Sequence, residues 1–537
     1  MKAGPSGSRR TAPRNGFGRR TAGARLRRMA ICAALAVPGG FPAAAAAAAP
    51  DAGAVVDLRA CGARGDGAYH SVREWMAAGR YRSLAALRRD YPAVDGLDWS
   101  VDEAAFARAQ QLLPAAGGTI LIPRGRYVAG HAAWRIVRDH VRLRGDGPDA
   151  TVLLTRPTVA DGLDVAPYRH VGWKFGAEDE LRFAADSGRR GETELRLLTP
   201  LRAGEVRPGD LIFIRDGANR FDQDYGEFNE VAEVDGSALR LRHGLARDYT
   251  LARFNGAAET AADFRLPRPG GEVAVALRPS ANPALPAVDA TVSLGEALFR
   301  VVAARAGRLR LQLTTRGPPA AGTVVPAGTM VGLSRAVIRL TRTTRDFRAE
   351  GLQVVGRRKV LSVSNSYGTE FSDCRFVRAA RDGAFAGGLT VDGDDGRFAR
   401  FERCGFTADP PAGMQFARSF GDVTFRDCTF ADANVAFTEF SFGVEVSHCA
   451  FDVDGTPGLT SVAILGKSCG GVRFEDNTIR ARGVEAVIDA QQDIQSMRHG
   501  GEGGILVRGN TILTDDLRRV YRLLVADDGA QSRLDNY

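Results

Sequence analysis

The chain has 537 residues, of which 44% are hydrophobic, 8% aromatic and 63 are Gly, and it carries a formal charge of +9. Nine basic residues and no acid fall within residues 1–50, and the remainder carries 63 basic against 63 acidic side chains. The basic excess is therefore confined to the leader, which argues against a nucleic-acid-binding surface on the body of the protein.

Residues 1–50 read as an export leader. Lys2 and eight arginines precede an apolar stretch from Met29 to Val37, and the alanine run Ala43 to Ala49 offers small-residue cleavage sites. The apolar stretch is too short to anchor in a membrane. Arg9-Arg10 and Arg19-Arg20 suggest twin-arginine export, but neither pair is followed by Phe-Leu-Lys, so general secretory export fits equally. The expected location is periplasmic or extracellular.

Residues 51–171 form an opening segment. Ala60 to Gly67 is a Gly/Asp turn cluster that contains Arg64-Gly65-Asp66, read as a turn rather than an adhesion signal. Ser100-Val-Asp-Glu103 is a capping box that opens a helix through Phe106 to Leu113. Gly117 to Ile122, Pro123 to Tyr127 and Val141 to Gly147 follow as short strands punctuated by Gly and Pro. This sequence of motifs resembles the pectate-lyase-like superfamily, the right-handed parallel β-helix carbohydrate enzymes and phage tailspikes. The matching features are Gly62-Ala63 with Gly65-Asp66-Gly67, the helix from Asp102, Gly117 to Ile122 with Pro123 to Tyr127, and Leu143 to Gly147. The resemblance implies an all-β fold, a right-handed parallel β-helix with a short N-terminal capping helix. It leaves the reaction open, since lyases, hydrolases, epimerases and binding proteins share the fold. Ala68 to Asp102 departs from the simpler members, which pass almost directly into the helix.

Residues 172–335 read as an inserted β-rich module. Gly226-Glu-Phe, Val231, Gly236 and Leu239 to Arg242 are echoed by Gly295-Glu-Ala, Val301, Gly307 and Leu309 to Gln312. Two related modules and one irregular β insertion both fit this echo.

From 336 to 537 the chain repeats one phrase: large apolar residue, two residues, Cys or Asn, one residue, large apolar residue. The central positions are Cys374, Cys404, Cys428, Cys449, Asn477 and Asn510, spaced 30, 24, 21, 28 and 33 residues apart. Such a period is a solenoid signature, and it places these six residues in one column. The family resemblance implies an asparagine ladder at that turn. Four Cys in the column read as stacked buried thiols rather than disulfides, and as structural rather than catalytic.

A second strand in each coil gives the candidate site. Its copies begin Leu361-Ser-Val363, Leu389-Thr-Val391, Met414-Gln-Phe416, Val435-Ala-Phe437, Val462-Ala-Ile464 and Ala486-Val-Ile488. With these alternate apolar residues inward, Asn365, Asp392, Asp394, Arg418, Glu439, Lys467, Asp489 and Gln491 leave one outer stripe roughly 25 Å long. The stripe suits a polysaccharide groove, the position that the family resemblance also implies.

Two chemistries fit it. An inverting glycosidase needs carboxyls about 6.5–9.5 Å apart, which Asp392 or Asp395 with Glu439 approach across two coils. A lyase acting on a uronic-acid polymer needs a base and a charge neutraliser: Arg418 or Lys467 as base, with Ca²⁺ on Asp392, Asp394 and Glu439. Asn365, Asp489 and Gln491 would bind substrate. The leading expectation is an exported polysaccharide lyase, with a glycoside hydrolase or a non-catalytic polysaccharide-binding β-helix as alternatives. No metal-ligand spacing appears among the seven His, and phosphate-loop, dinucleotide and nucleophile-elbow motifs are absent. All four Trp precede the repeat, so stacking platforms for sugars would be Phe440, Phe442 or Tyr225.

Overall fold

A computed structural model describes residues 53–159, 161–165, 182–185, 188–197, 201, 203–215, 226–236, 238–247, 252–253, 259–278, 288, 291–294, 297–314, 319–329, 331–333, 335–340, 343–379, 389–417, 420–438, 441–455, 461–465, 469–493 and 505–526. The leader lies outside these residues. Among the described residues, no helix is long and apolar enough to cross a membrane.

The chain winds into a right-handed parallel β-helix with three rows of strands. Row 1 is a ten-stranded sheet running from Ala54–Asp57 to Ile505–Arg508. Rows 2 and 3 make up a sixteen-stranded sheet, joined where Gly405–Ala417 and Thr429–Phe437 bend from one row into the next. Stacking sets the core. Phe371, Phe401 and Phe425 lie face to face in row 1, with centroids 5.0 and 4.6 Å apart. In row 2, Phe376, Phe406, Phe430 and Phe451 do the same at 5.3, 5.0 and 4.3 Å. A period-2 strand repeated in register places like residues on like, so each coil templates the next.

The turn from row 1 to row 2 explains the repeated phrase. The residue before the central position is left-handed in seven coils, at Gly351, Asp373, Arg403, Asp427, His448, Asp476 and Gly509, with φ between 50° and 67°. Asp tolerates that region better than most residues. Arg403 is held there by a bidentate pair with Asp373 of the preceding coil, both contacts at 2.8 Å. The next residue points inward and ties its coil to the previous one. Asn477 Nδ2 donates to Val446 O at 3.0 Å, and Asn510 Nδ2 to Phe474 O at 2.8 Å. The thiols make the same connection. Cys374 Sγ reaches to Ala349 O, Cys404 to Phe371 O and Cys428 to Phe401 O, each at 3.5 Å, and Cys449 to Phe425 O at 3.7 Å. All six Cys of the described residues are buried, and Cys61, Cys374, Cys404, Cys428 and Cys449 are free thiols.

At the N-terminal end the capped helix is Val101–Leu112, and the Ser100 side chain accepts from Glu103 N at 2.9 Å. Two more helices accompany it, Val72–Ala77 and Leu84–Asp90, in the segment where the sequence departs from the family pattern. Trp75, Leu87, Tyr91 and Val94 bury them against Val101 and Ala104.

Between Asp161–Asp164 in row 3 and Thr344–Glu350 in row 1 stand two six-stranded antiparallel sheets. The first runs Arg182–Ala185, Arg335–Leu340, Leu211–Arg215, Gly226–Asp235, Ala238–Leu241, Glu194–Arg196. The second runs Ala252–Arg253, Val331–Leu333, Thr291–Leu294, Ala297–Arg305, Arg308–Leu313, Glu272–Ala276. Strand order is the same in both: first and last strands adjoin at one edge, and the second strand closes the other. The longest strand of each bulges at the matching point, between Val231 and Glu233 and between Val301 and Ala303. The second sheet is nested between the last two strands of the first.

Candidate functional site

Row 3 carries the candidate stripe. One register column of it runs Arg135, Asp164, Ser362, Asp392, Gln415, Ala436, Ile464, Asp489 and Arg522. These side chains face away from the core that Leu361, Val391, Phe416 and Phe437 fill. The column is polar at both ends, and Ala436 and Ile464 interrupt it. Asp489 therefore stands four inter-strand steps from Asp392, roughly 19 Å, and the expected continuous groove splits into two groups.

The phase of one coil differs from the expectation. Ala463 and Leu465 are the inward pair, aligned with Val435 and Phe437, and not Val462 and Ile464. The run Val462-Ala-Ile-Leu465 is apolar throughout, so alternation gave no phase, and a slip of one residue exchanges the faces.

In the upper group, Asp392 is paired with Lys359 of the preceding coil. Its side chain is 9% exposed and that of Lys359 32%. Beside them, Arg358 holds Asp161 through two hydrogen bonds at 3.1 and 3.0 Å, which raise its guanidinium pKa. The two pairs interlock three successive coils, since Asp161, Lys359 and Leu389 share a register position. Neither Lys359 nor Arg358 was legible as a site residue. Each precedes its row 3 strand's apolar residues, where the alternation had not begun.

Asn365 and Asp395 occupy the same corner of successive coils, where row 3 turns into row 1. Both are left-handed, with φ of 51° and 48°, and Asn365 N donates to Asp394 O at 2.9 Å. Backbone geometry accounts for these residue types at that corner. Asp395 is 6% exposed. Asp394 lies on the strand Leu389–Asp394 and is partly exposed. In the lower group Asp489 is fully buried and bound by Arg522, whose Nε lies 3.0 Å from Oδ1 and whose Nη1 reaches Glu485 at 3.3 Å. Gln491 lies on the strand Ala486–Asp493. Arg418, Glu439 and Lys467 fall outside the described residues, as do Phe440 and Tyr225.

For the expected calcium site the fit is poor: the Lys359 ammonium already holds the Asp392 carboxylate. Among the described residues no three His, Cys, Asp or Glu converge to hold an ion.

A polar seam next to this corner went unread in the sequence. The first inserted sheet lays Leu211, Phe213 and Phe228 on Tyr367 and Phe398 of row 1. Beside them Arg397 is almost wholly buried. Its Nη1 donates to Glu227 Oε1 at 3.0 Å and to Phe228 O at 2.9 Å, and its Nε to Asp422 Oδ2 at 2.6 Å. Phe442 lies across Gly421, whose missing Cβ leaves room for the ring. Arg247 and Arg397 pack over that ring at 4.6 and 5.5 Å. Phe442 is 4% exposed, so it is a packing residue and no platform for a sugar. His243 packs on Phe398 with the rings tilted by 53° and their centroids 4.6 Å apart; burial, with the nearby Arg397 charge, pushes its pKa down to about 4.

No family profile and no curated protein matches the sequence. Solved structures with the same general architecture do. The tailspike protein gp49 from Pseudomonas phage LKA1 is 15% identical, with 88% of this chain and 79% of that chain covered and a TM-score of 0.36. For the DFA-IIIase from Arthrobacter chlorophenolicus A6 the figures are 9% identity, 90% and 88% coverage, and a TM-score of 0.33. The A-module of the Azotobacter vinelandii mannuronan C-5 epimerase AlgE4 is 10% identical, with 88% and 98% covered and a TM-score of 0.23. Likeness at this level transfers no chemistry to this chain.

Proposed function

We propose that the protein is a polysaccharide-cleaving enzyme that holds its substrate along the outer face of row 3, at the group centred on Lys359 and Asp392. The observation that carries this reading is the ion pair between those residues on adjacent coils, with Arg358, Asp161 and Gln415 beside it. A cation and a nearly buried carboxylate in contact are the two groups β-elimination on a uronic-acid polymer requires.

A substrate carboxylate competes with Asp392 for the Lys359 ammonium. Asp392, released from the ammonium, takes the proton at C5 of the sugar. The C–H electron pair forms the C4=C5 double bond, the C4–O bond breaks, and the departing oxygen takes a proton from solvent. Arg358 adds positive charge where the sugar acid lies. Arg418 and Lys467 remain candidates for the base, and Ca²⁺ has no step in this scheme.

Asp392 and Asp395 favour a second reading. Both are 6% exposed carboxylates on one coil, the residue types a glycoside hydrolase uses. One experiment separates them: incubation with a panel of acidic and neutral polysaccharides, following the ultraviolet absorbance of an unsaturated sugar end and the reducing ends in parallel, with and without a chelator. Both signals together support the lyase. Reducing ends alone support hydrolysis. Silence across the panel, with binding retained, supports a binding protein and overturns the enzymatic reading.

A further inference from the structure

The cysteine column is absorbed by none of this chemistry. Cys374, Cys404, Cys428 and Cys449 follow one another in successive coils, each at most 2% exposed and each with its Sγ between a main-chain oxygen of its own coil, at 3.2–3.4 Å, and one of the coil before, at 3.5–3.7 Å. Asn477 and Asn510 make the same bond from the same position with an amide. The fold thus accepts a group with no redox chemistry at this slot, and carries four with it.

We propose that the column is a redox interlock on folding: the coils from Cys374 to Cys449 stack only while their thiols are reduced, and once stacked they are closed to oxidants. This goes beyond the proposed activity and does not depend on it.

The folded half of the argument is geometric. Equivalent residues of stacked coils carry parallel Cα–Cβ bonds at the inter-strand spacing of roughly 4.8 Å, wider than the Cβ separation of about 3.8 Å in a disulfide. Closing a bridge would pinch the two turns together and remove two sulfur donors from main-chain oxygens. Burial and the neighbouring sulfurs push the Cys404 thiol up while the sulfurs on either side of Cys428 pull that one down, so the closure to oxidants rests on burial and spacing and not on protonation.

In the unfolded chain neither protection exists. Consecutive column thiols are separated by only 30, 24 and 21 residues, short loops that close readily. With a small-molecule disulfide such as glutathione disulfide, one thiolate attacks a sulfur and expels a glutathione thiolate, which takes up a proton. A second cysteine attacks the mixed disulfide and expels the other. Two protein thiols are oxidised and one glutathione disulfide is reduced to two glutathiones. A bridge made this way removes two rungs and ties two coils together before they have stacked.

The test uses the full chain. Unfolded protein is refolded in reduced glutathione or in glutathione disulfide, and the strand signal in circular dichroism and the free thiols are measured. Most of the refolding should be lost in the disulfide and restored by dithiothreitol. Protein folded beforehand should keep both its signal and its buried thiols in the same disulfide. A variant with Cys374→Asn, Cys404→Asn, Cys428→Asn and Cys449→Asn should refold equally in both. Its complement, Cys32→Ser with Cys61→Ser and Cys469→Ser, keeps the column and should keep the sensitivity, which also decides the matter if the asparagine variant does not fold. Equal refolding of the natural chain in both media overturns the proposal. So does sensitivity that disappears in the serine variant, or rapid oxidation of the folded column.

Discussion

Lys359 of one coil reaches the carboxylate of Asp392 on the next, and with Arg358 on Asp161 it clamps three coils at the polar end of the row 3 column. The two members of the pair differ in exposure, 32% against 9%, so their loss is unequal. Lys359→Met leaves a nearly buried carboxylate without its cation and should destabilise by about 2 kcal/mol, between the values for exposed and buried pairs. Asp392→Asn leaves a lysine that can reach solvent and should destabilise by less. Both should abolish polymer cleavage. Urea denaturation and the cleavage assay on the two single variants and the double variant give the coupling; full activity in Asp392→Asn would remove this pair from the proposed chemistry.

The seam between the first inserted sheet and row 1 is a buried ion pair, a class in which breaking one partner is worse than replacing both. Arg397→Met removes the guanidinium that lies 3.0 Å from the fully buried Glu227 and should cost about 3–5 kcal/mol. Adding Glu227→Gln should recover part of this. Denaturant unfolding of the two variants checks the order; equal loss in both would mean that packing, not charge, holds the seam.

His243 makes that seam sensitive to acid. Its folded pKa of about 4 lies below the ordinary histidine value, so the unfolded chain binds the extra proton first. The stabilisation is full above about pH 6.5 and is lost as the pH falls towards 4, at most about 3 kcal/mol in all. Stability curves at a series of pH values should steepen over this window in the natural protein and flatten in His243→Gln. An unchanged slope in the variant assigns the acid sensitivity to other groups.

How much of this was readable follows from what repeats. The coil phrase recurs with its αL residue and inward Cys or Asn, and the period fixes register, so the fold and the ladder column follow from Phe371, Cys374 and their copies alone. Alternation placed Asp392 outward for the same reason. It failed at Val462 to Leu465, where four apolar residues in a row carry no phase. Lys359, Arg397 and Glu227 were invisible for other reasons. Lys359 precedes the alternation of its strand, although its partner is one coil away, and Arg397 and Glu227 lie 170 residues apart in a pair that no period relates. The site corner at Asn365 and Asp395 looked chemical and is at least half conformational, because a left-handed backbone favours the same residue types that catalysis does.

The ladder should rank its rungs by bond strength. Asn477 accepts from Cys449 N at 2.8 Å and donates to Val446 O, so Asn477→Ala takes a hydrogen bond from two buried main-chain groups of the preceding coil. A loss of about 2–3 kcal/mol is expected. Cys404→Ala removes one weak S–H donor and a little volume and should lose about 1 kcal/mol. Denaturant midpoints of the two variants test the ranking; a larger loss at Cys404 would mean that the sulfur column packs more tightly than its hydrogen bonds suggest.

The split of the row 3 column gives the sharpest test of where substrate lies. The buried Asp489 and the partly exposed Arg522 form a pair of their own, separated from Asp392 by Ala436 and Ile464. If the working group is the one at Lys359, Arg522→Met should lower stability by about 2–4 kcal/mol, because the buried Asp489 loses the guanidinium that grips it, while cleavage by the folded variant stays unchanged. If a long polymer instead spans the whole face, the same substitution should raise KM for long chains and spare short ones. Thermal unfolding alongside KM for substrates of graded length distinguishes these outcomes, and a length-dependent KM in Arg522→Met would extend the site across the apolar break.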